Sequence, residues 1–276
     1  MVKQLLPKAI GYTLHPMSYL APNQAGDFAL HLFGRPMAGR HLPEEKVFLD
    51  TAEKIKEVPF ELGKVVVYEW NTHQQESVLL LHGWESNAAR WEPLIKQLVA
   101  EGKRILAVDA PAHGASSGKL FNMLQYSRVL DLLVREYTPN TVVGHSIGGG
   151  AVALYLHEHP NTSVQRAAIL GVPSELSHMA NTFSRILGLS KRMRQTMERR
   201  FEEQYQLTFK QVSIAEYCKT ITIPMLVVHD TTDTIALVQD AYLYEQHLQD
   251  CELVVTKGLG HSLQGQVVYQ AIKNFV

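Results

Sequence analysis

Gly144-His145-Ser146-Ile147-Gly148 sets a serine between two glycines, directly after an apolar run and directly before a helical one. A serine held in that way becomes a nucleophile when the chain also supplies a base for its proton, an acid to orient the base, and N–H donors for the oxyanion. The G-x-S-x-G match is weak alone, because at ordinary glycine and serine frequencies it recurs by chance in roughly one chain in ten of this length. Its context adds weight. The motif ends the β-branched run Thr141-Val142-Val143 and opens an Ala-, Leu- and Gly-rich helical stretch. That is the strand-to-helix turn on which a serine Oγ stands clear of a sheet edge. The Ser146 amide, and more so that of Ile147, would lie at a helix N-terminus, where outward N–H groups favour negative charge.

Partners for the serine occur in a consistent chain order. Leu79-Leu80-Leu81 leads into His82-Gly83-Trp84, a turn able to aim the Trp84 N–H at an oxygen held beside Ser146, so Trp84 and Ile147 are the expected oxyanion donors. Further on, His229-Asp230-Thr231-Thr232-Asp233 places two carboxylates just past a strand, and His261 falls in a glycine-flanked loop past the last strand. Serine, acid and histidine at strand ends can converge on one sheet edge, and the chemistry they compose is acyl transfer. On spacing alone Asp230 and Asp233 are equal claimants to the acid position. A phosphate-binding reading of the glycines fails: no lysine followed by Ser or Thr closes the loop, and no G-x-G-x-x-G follows the first strand.

The elements that must position these residues are legible from periodicity. Short apolar runs at 77–81, 104–108, 141–144, 166–170, 224–228 and 252–256 alternate with helical patterns at 87–101, 121–137, 147–159, 237–248 and 264–275, which predicts a mostly parallel sheet covered on both faces. Residues 59–70 predict an antiparallel hairpin or meander, with Leu62-Gly63-Lys64 as the turn. Pro43-Glu44-Glu45 predicts a helix start, with Phe48, Leu49, Ala52 and Ile55 on its buried face. Residues 174–218 carry no strand signal and predict an inserted helical cap. Its Lys191, Arg192, Arg194, Arg199 and Arg200 are expected to face solvent. The expected domain plan is an N-terminal extension, 1–58, packing on the core, a core of 59–173 and 219–276, and the cap, 174–218.

With 276 residues, 46% hydrophobic and 19% charged, and a net charge of −1, the chain is large enough for a full core and shows no global bias toward nucleic acid or anionic membranes. Pro7, Lys8, Thr13, His15 and Pro16 interrupt any signal-like apolar segment at the start, and no apolar run is long enough to span a bilayer. The expectation is a soluble, cytoplasmic monomer or homodimer with a neutral small-molecule partner, no nucleic acid or membrane partner, no cofactor and no metal. Cys218 and Cys251 are expected to be free thiols.

Five segments together resemble the α/β-hydrolase superfamily over about Phe60 to Val276: HGW at 82–84, DAPAHGASSG at 109–118, GHSIGG at 144–149, HDTTDTI at 229–235 and GLGHS at 258–262. The resemblance implies the α/β-hydrolase fold with a helical cap insertion. It implies a triad of Ser146, Asp233 and His261, with Asp230 and Glu175 as competing acids. His145, Met179 and Phe183 are expected to touch substrate. Asp109 and His113 read as turn residues, and Ala112 stands where the family usually has glycine. Serine at the elbow, where dehalogenases and epoxide hydrolases have aspartate and dienelactone hydrolases cysteine, points to esterase, thioesterase, lactonase or carbon–carbon bond hydrolase activity. The alternative is a non-catalytic binder of a hydrophobic ligand on the same fold.

Overall fold

A computed structural model describes residues 2–276, which divide into two compact units. One gathers the described residues up to Arg35 with Ser174–Ser213, and the other comprises Pro36–Pro173 and Ile214–Val276. The first boundary therefore falls near residue 35 and not at 58.

The larger unit is built on an eight-stranded sheet: β1 (Lys54–Phe60), β2 (Gly63–Trp70), β3 (Ser77–Leu81), β4 (Arg104–Asp109), β5 (Thr141–His145), β6 (Arg166–Leu170), β7 (Met225–Asp230) and β8 (Cys251–Thr256). Their spatial order is β1-β2-β4-β3-β5-β6-β7-β8. Pairing is antiparallel for β1 with β2 and for β2 with β4, and parallel from β4 to β8. The apolar stretches of β3, β5 and β6 have the physical reason expected of central parallel strands: both faces are covered. Val78, Leu80, Ile105, Ala107, Val143 and Ala168 share one core with Leu94, Ile95, Leu98, Ile272 and Phe275 from the helices Glu92–Ala100 and Gln266–Phe275. The alternate residues Leu79, Leu81, Leu106, Val108 and Val142 point to the other face and are equally buried.

Helix Met123–Tyr137 shows how local sequence sets an element. Asn122 caps it by accepting the Gln125 N–H at 2.8 Å, and Tyr126, Leu130, Leu133 and Tyr137 recur on its buried side. Helix Ile147–Glu158 is buried through its first ten residues, Ile147–Leu156, which explains a sequence without an amphipathic stripe.

Two expectations are corrected. The helix from Pro43 ends at Leu49, and Ile55 lies instead in β1, because residues 54–60 pair with Gly63–Glu69 of β2. The hairpin turns at Glu61-Leu62, where Glu61 has φ +51°, and Gly63 already pairs with Phe60.

The smaller unit consists of helices Val2–Leu20, Pro22–Phe33, Leu176–Leu187 and Lys191–Tyr205. Lys191, Arg192, Arg194 and Arg199 are exposed, as expected, and Arg200 is half-buried; three of these basic side chains also have partners within the unit. Arg192 donates to Ser18 O (3.1 Å), Arg199 to Asn23 Oδ1 (2.8 Å) and Arg200 to Asp27 Oδ1 (2.8 Å). They tie the inserted helices to the N-terminal pair. Cys218 and Cys251 are free thiols. Among the described residues, no helix is long and apolar enough to cross a membrane.

Candidate active site

Ser146 stands between β5 and helix Ile147–Glu158 with φ +54° and ψ −123°, a backbone conformation that side chains with a Cβ rarely adopt. Its surroundings over-determine it. The Ser146 N–H donates to Leu170 O (2.8 Å), and its carbonyl accepts the Gly150 N–H (3.0 Å). Gly148 permits the turn, since a Cβ there would lie 2.5 Å from His82 O and 2.8 Å from Leu81 O, both backbone atoms. The serine turn and the His82-Gly83 turn are thus in direct backbone contact. Ser146 itself is only 6% exposed.

The structure brings Ser146, His261 and Asp233 together. His261 Nε2 is 3.0 Å from Ser146 Oγ, and Nδ1 is 2.7 Å from Asp233 Oδ2. With Nδ1–H donating to the carboxylate, Nε2 keeps its lone pair and can accept the serine proton. Asp233 Oδ1 accepts the N–H groups of Ile235 (2.8 Å) and Ala236 (3.1 Å). Burial pushes the Asp233 carboxyl up, but the His261 and backbone hydrogen bonds outweigh it and hold the group below its ordinary value.

The rival acids have other partners. Asp230 Oδ1 accepts from Thr232 N (2.8 Å), Thr232 Oγ1 (2.5 Å) and Gly258 N (3.2 Å), and Oδ2 from Thr256 Oγ1 (2.7 Å) and Leu259 N (2.9 Å). It ties the acid loop to the segment leading to His261. Burial raises its pKa, yet these hydrogen bonds, led by Thr232, hold it well below the usual carboxylate range. Glu175, in the smaller unit, accepts the Ser177 hydroxyl at 2.6 Å.

The expected oxyanion donors lie where backbone geometry can aim them. Ile147 is the first residue of its helix, so its N–H has no carbonyl a turn earlier to receive it. At the facing turn, His82 Nε2 accepts the Ala110 N–H (2.9 Å), which leaves Nδ1–H to donate to Gly83 O (2.7 Å). Burial, with His113 nearby, pushes His82 down to about 3 and keeps it in that neutral form. In a planar trans peptide the N–H points opposite to the C=O, so fixing Gly83 O also fixes the direction of the Trp84 N–H. A Cβ on Gly83 would lie 3.1 Å from Ser146 Cβ, which places this turn against the serine.

His145, expected to touch substrate, is held by other side chains and backbone of the site. It is 5% exposed; its Nε2–H donates to His261 O (2.7 Å) and its Nδ1 pairs with Arg90 Nη1, so neither ring nitrogen is left over. Met179 and Phe183 lie one turn apart on helix Leu176–Leu187 of the smaller unit, half-buried, with the Phe183 ring 5.1 Å from that of Phe33.

Asp109 and His113 are the turn residues expected. Asp109 accepts from Ala88 N (2.9 Å), Ala115 N (2.9 Å) and Tyr68 OH (3.0 Å), with His41 Nε2 2.9 Å away. Ala112 takes φ +67°, so the usual glycine conformation persists without glycine. Arg40 adds donations to Gly114 O (3.0 Å) and Ser116 O (2.7 Å). Sequence reading missed Arg40, His41 and Arg90, since each acts on residues more than 50 positions away. Among the described residues, no group of three His, Cys, Asp or Glu side chains is arranged to hold a metal ion.

Residues 76–190 match the family described as alpha/beta hydrolase fold. An esterase of Pyrococcus furiosus superposes with a TM-score of 0.63 at 21% identity, covering 87% of this chain and 95% of that one. The chain has the α/β-hydrolase fold. It is 33% identical over 112 residues to a probable serine hydrolase of Drosophila melanogaster, a match covering 38% of this chain and 33% of the relative. It is 29% identical over 127 residues to a bifunctional esterase/perhydrolase of Acinetobacter calcoaceticus, covering 45% of each. The chain thus spans less than half the length of these curated relatives where it matches them.

Proposed function

We propose that this α/β-hydrolase is a serine hydrolase that cleaves a carboxylic ester through an acyl-enzyme. One observation carries the reading: a base nitrogen 3.0 Å from Ser146 Oγ, its other nitrogen 2.7 Å from a buried carboxylate. Relatives and structural neighbours named as esterases and serine hydrolases support it.

His261 Nε2 takes the Ser146 proton as Oγ attacks the ester carbonyl, and the resulting tetrahedral oxyanion sits at the Trp84 and Ile147 amides. The tetrahedral species collapses as His261 returns the proton to the leaving alkoxide, leaving Ser146 acylated. Water enters, gives a proton to His261 as it attacks the acyl carbon, and the second collapse releases the acid and restores the serine. Asp233 stays ionised throughout, fixing the Nδ1–H tautomer and stabilising the imidazolium.

Hydrolysis of p-nitrophenyl acetate by the wild type and by Ser146→Ala tests the proposal. Turnover that falls by about 10³-fold or more in a folded variant supports it. Equal turnover by the two proteins, or none by the wild type, overturns it.

A further inference from the structure

We infer that Arg90 and His145 form a clamp that positions His261 by holding the backbone of its loop. The inference rests on the serine-hydrolase reading for its kinetic meaning, and on contacts within the larger unit for its structure.

The loop needs an external hold. His261 lies in a three-residue 3₁₀ turn, Gly260–Ser262, none of whose residues is buried. Gly258, Gly260 and Leu263 around it all have positive φ, at +91°, +58° and +51°. Asp230 secures the near side through the Gly258 and Leu259 amides. Those bonds stop before the histidine.

Arg90 and His145 take over from there. Arg90 lies in the 3₁₀ turn Ala88–Trp91, where its guanidinium carbon stacks 4.8 Å from the Trp91 ring centroid. Its Nη2 donates to Ser262 O at 2.8 Å, and its Nη1 donates to His145 Nδ1. His145 Nε2–H donates to His261 O at 2.7 Å, and the Arg90 carbonyl accepts Gln264 Nε2 at 3.3 Å. Three hydrogen bonds therefore converge on residues 261–264 from residues 90 and 145. Because His145 immediately precedes Ser146, its backbone belongs to the nucleophile turn while its side chain holds the base loop. Neutral His145 is required, since an imidazolium would oppose its own Nδ1–H to the guanidinium. Burial, with the Arg90 charge beside it, keeps the His145 pKa well below its ordinary value.

The test uses the full-length protein with His145→Phe, Arg90→Met and His145→Gln. Phenylalanine keeps a ring and removes both bonds; methionine keeps a chain able to cover Trp91 and removes the donors; glutamine can accept from Arg90 and donate to His261 O. The readouts are kcat and KM on p-nitrophenyl acetate and the low-field proton resonance of His261 Nδ1. A displaced base costs kcat, so His145→Phe and Arg90→Met are expected to lower it by about 10- to 100-fold with KM within about threefold. Their His261 resonance is expected to broaden or vanish, and His145→Gln to recover most of the kcat and the resonance. Folded His145→Phe and Arg90→Met proteins with kcat within twofold of wild type and an unchanged resonance overturn the clamp, as does a glutamine variant no better than phenylalanine. Arg90→Met decides the matter alone if His145→Phe does not fold. Should the wild type neither turn over nor label at Ser146, the esterase reading has failed, and the resonance still judges the clamp.

Discussion

Replacing Asp230 by asparagine separates the two neighbouring carboxylates. The substitution keeps one oxygen for Thr232 and Gly258 but turns an NH₂ toward Thr256 Oγ1 and the Leu259 N–H. Thr256 has an escape, because its hydroxyl can donate to His229 O, 3.3 Å away. The Leu259 N–H has none. Losing the charge on the remaining bonds and stranding one amide at a fully buried site costs about 2–4 kcal/mol of folding stability. Urea denaturation at pH 7.5 measures this. The folded-state pKa of Asp230 is depressed, so its contribution is fully present above the unfolded-state value near 4 and is lost as the pH falls from there through the depressed value. The gap between wild type and variant should therefore be constant between about pH 5.5 and 8 and narrow only in stronger acid. Activity distinguishes the roles: Asp230→Asn lowers kcat by less than about tenfold, whereas Asp233→Asn, which favours the wrong His261 tautomer, lowers it by about 10³- to 10⁴-fold. A stability loss under about 0.5 kcal/mol, or equal kcat losses for the two variants, refutes the reasoning.

Gly148→Ala forces a Cβ to within 2.5 Å of His82 O, and denaturant titration is expected to show a loss of about 1–3 kcal/mol, the cost of overpacking against immovable backbone. Gly83→Ala meets the His145 ring nitrogen at 2.8 Å and Ser146 Cβ at 3.1 Å, so kcat should fall more steeply than the midpoint of thermal unfolding, measured on the same sample. Because its hydrogen bonds hold Asp233 below its ordinary value, Asp233 keeps its charge as the solution is mildly acidified and adds no second proton to the inhibition. The acid limb of log(kcat/KM) against pH should then rise with unit slope, and a slope of two would contradict it.

How much was legible in the sequence follows from the range of each interaction. β6 was read to the residue and helix Ile147–Glu158 to within one, because an apolar run and a helical period are local signals. Residues 43–55 were misread because Ile55 suits either a helix face or a strand, and only pairing with β2 decides. Spacing left Asp230 and Asp233 equal. What separates them is a 28-residue reach: Asp233 to the His261 ring, Asp230 to the Gly258 and Leu259 amides. His145 was expected to touch substrate; the partners it has in the fold, Arg90 and the His261 carbonyl, lie 55 and 116 residues away and leave no local signal. Arg90 itself carries no motif.

The central claim is that Ser146 is the nucleophile of an ester hydrolase. Mass-spectrometric mapping of a fluorophosphonate adduct on wild type, Ser146→Ala and His261→Ala is the most direct measurement of it. The account requires a stoichiometric adduct on the peptide containing Ser146 in the wild type, none in Ser146→Ala, and labelling slowed by orders of magnitude in His261→Ala. An adduct on another residue, or a folded wild type that stays unlabelled, contradicts it.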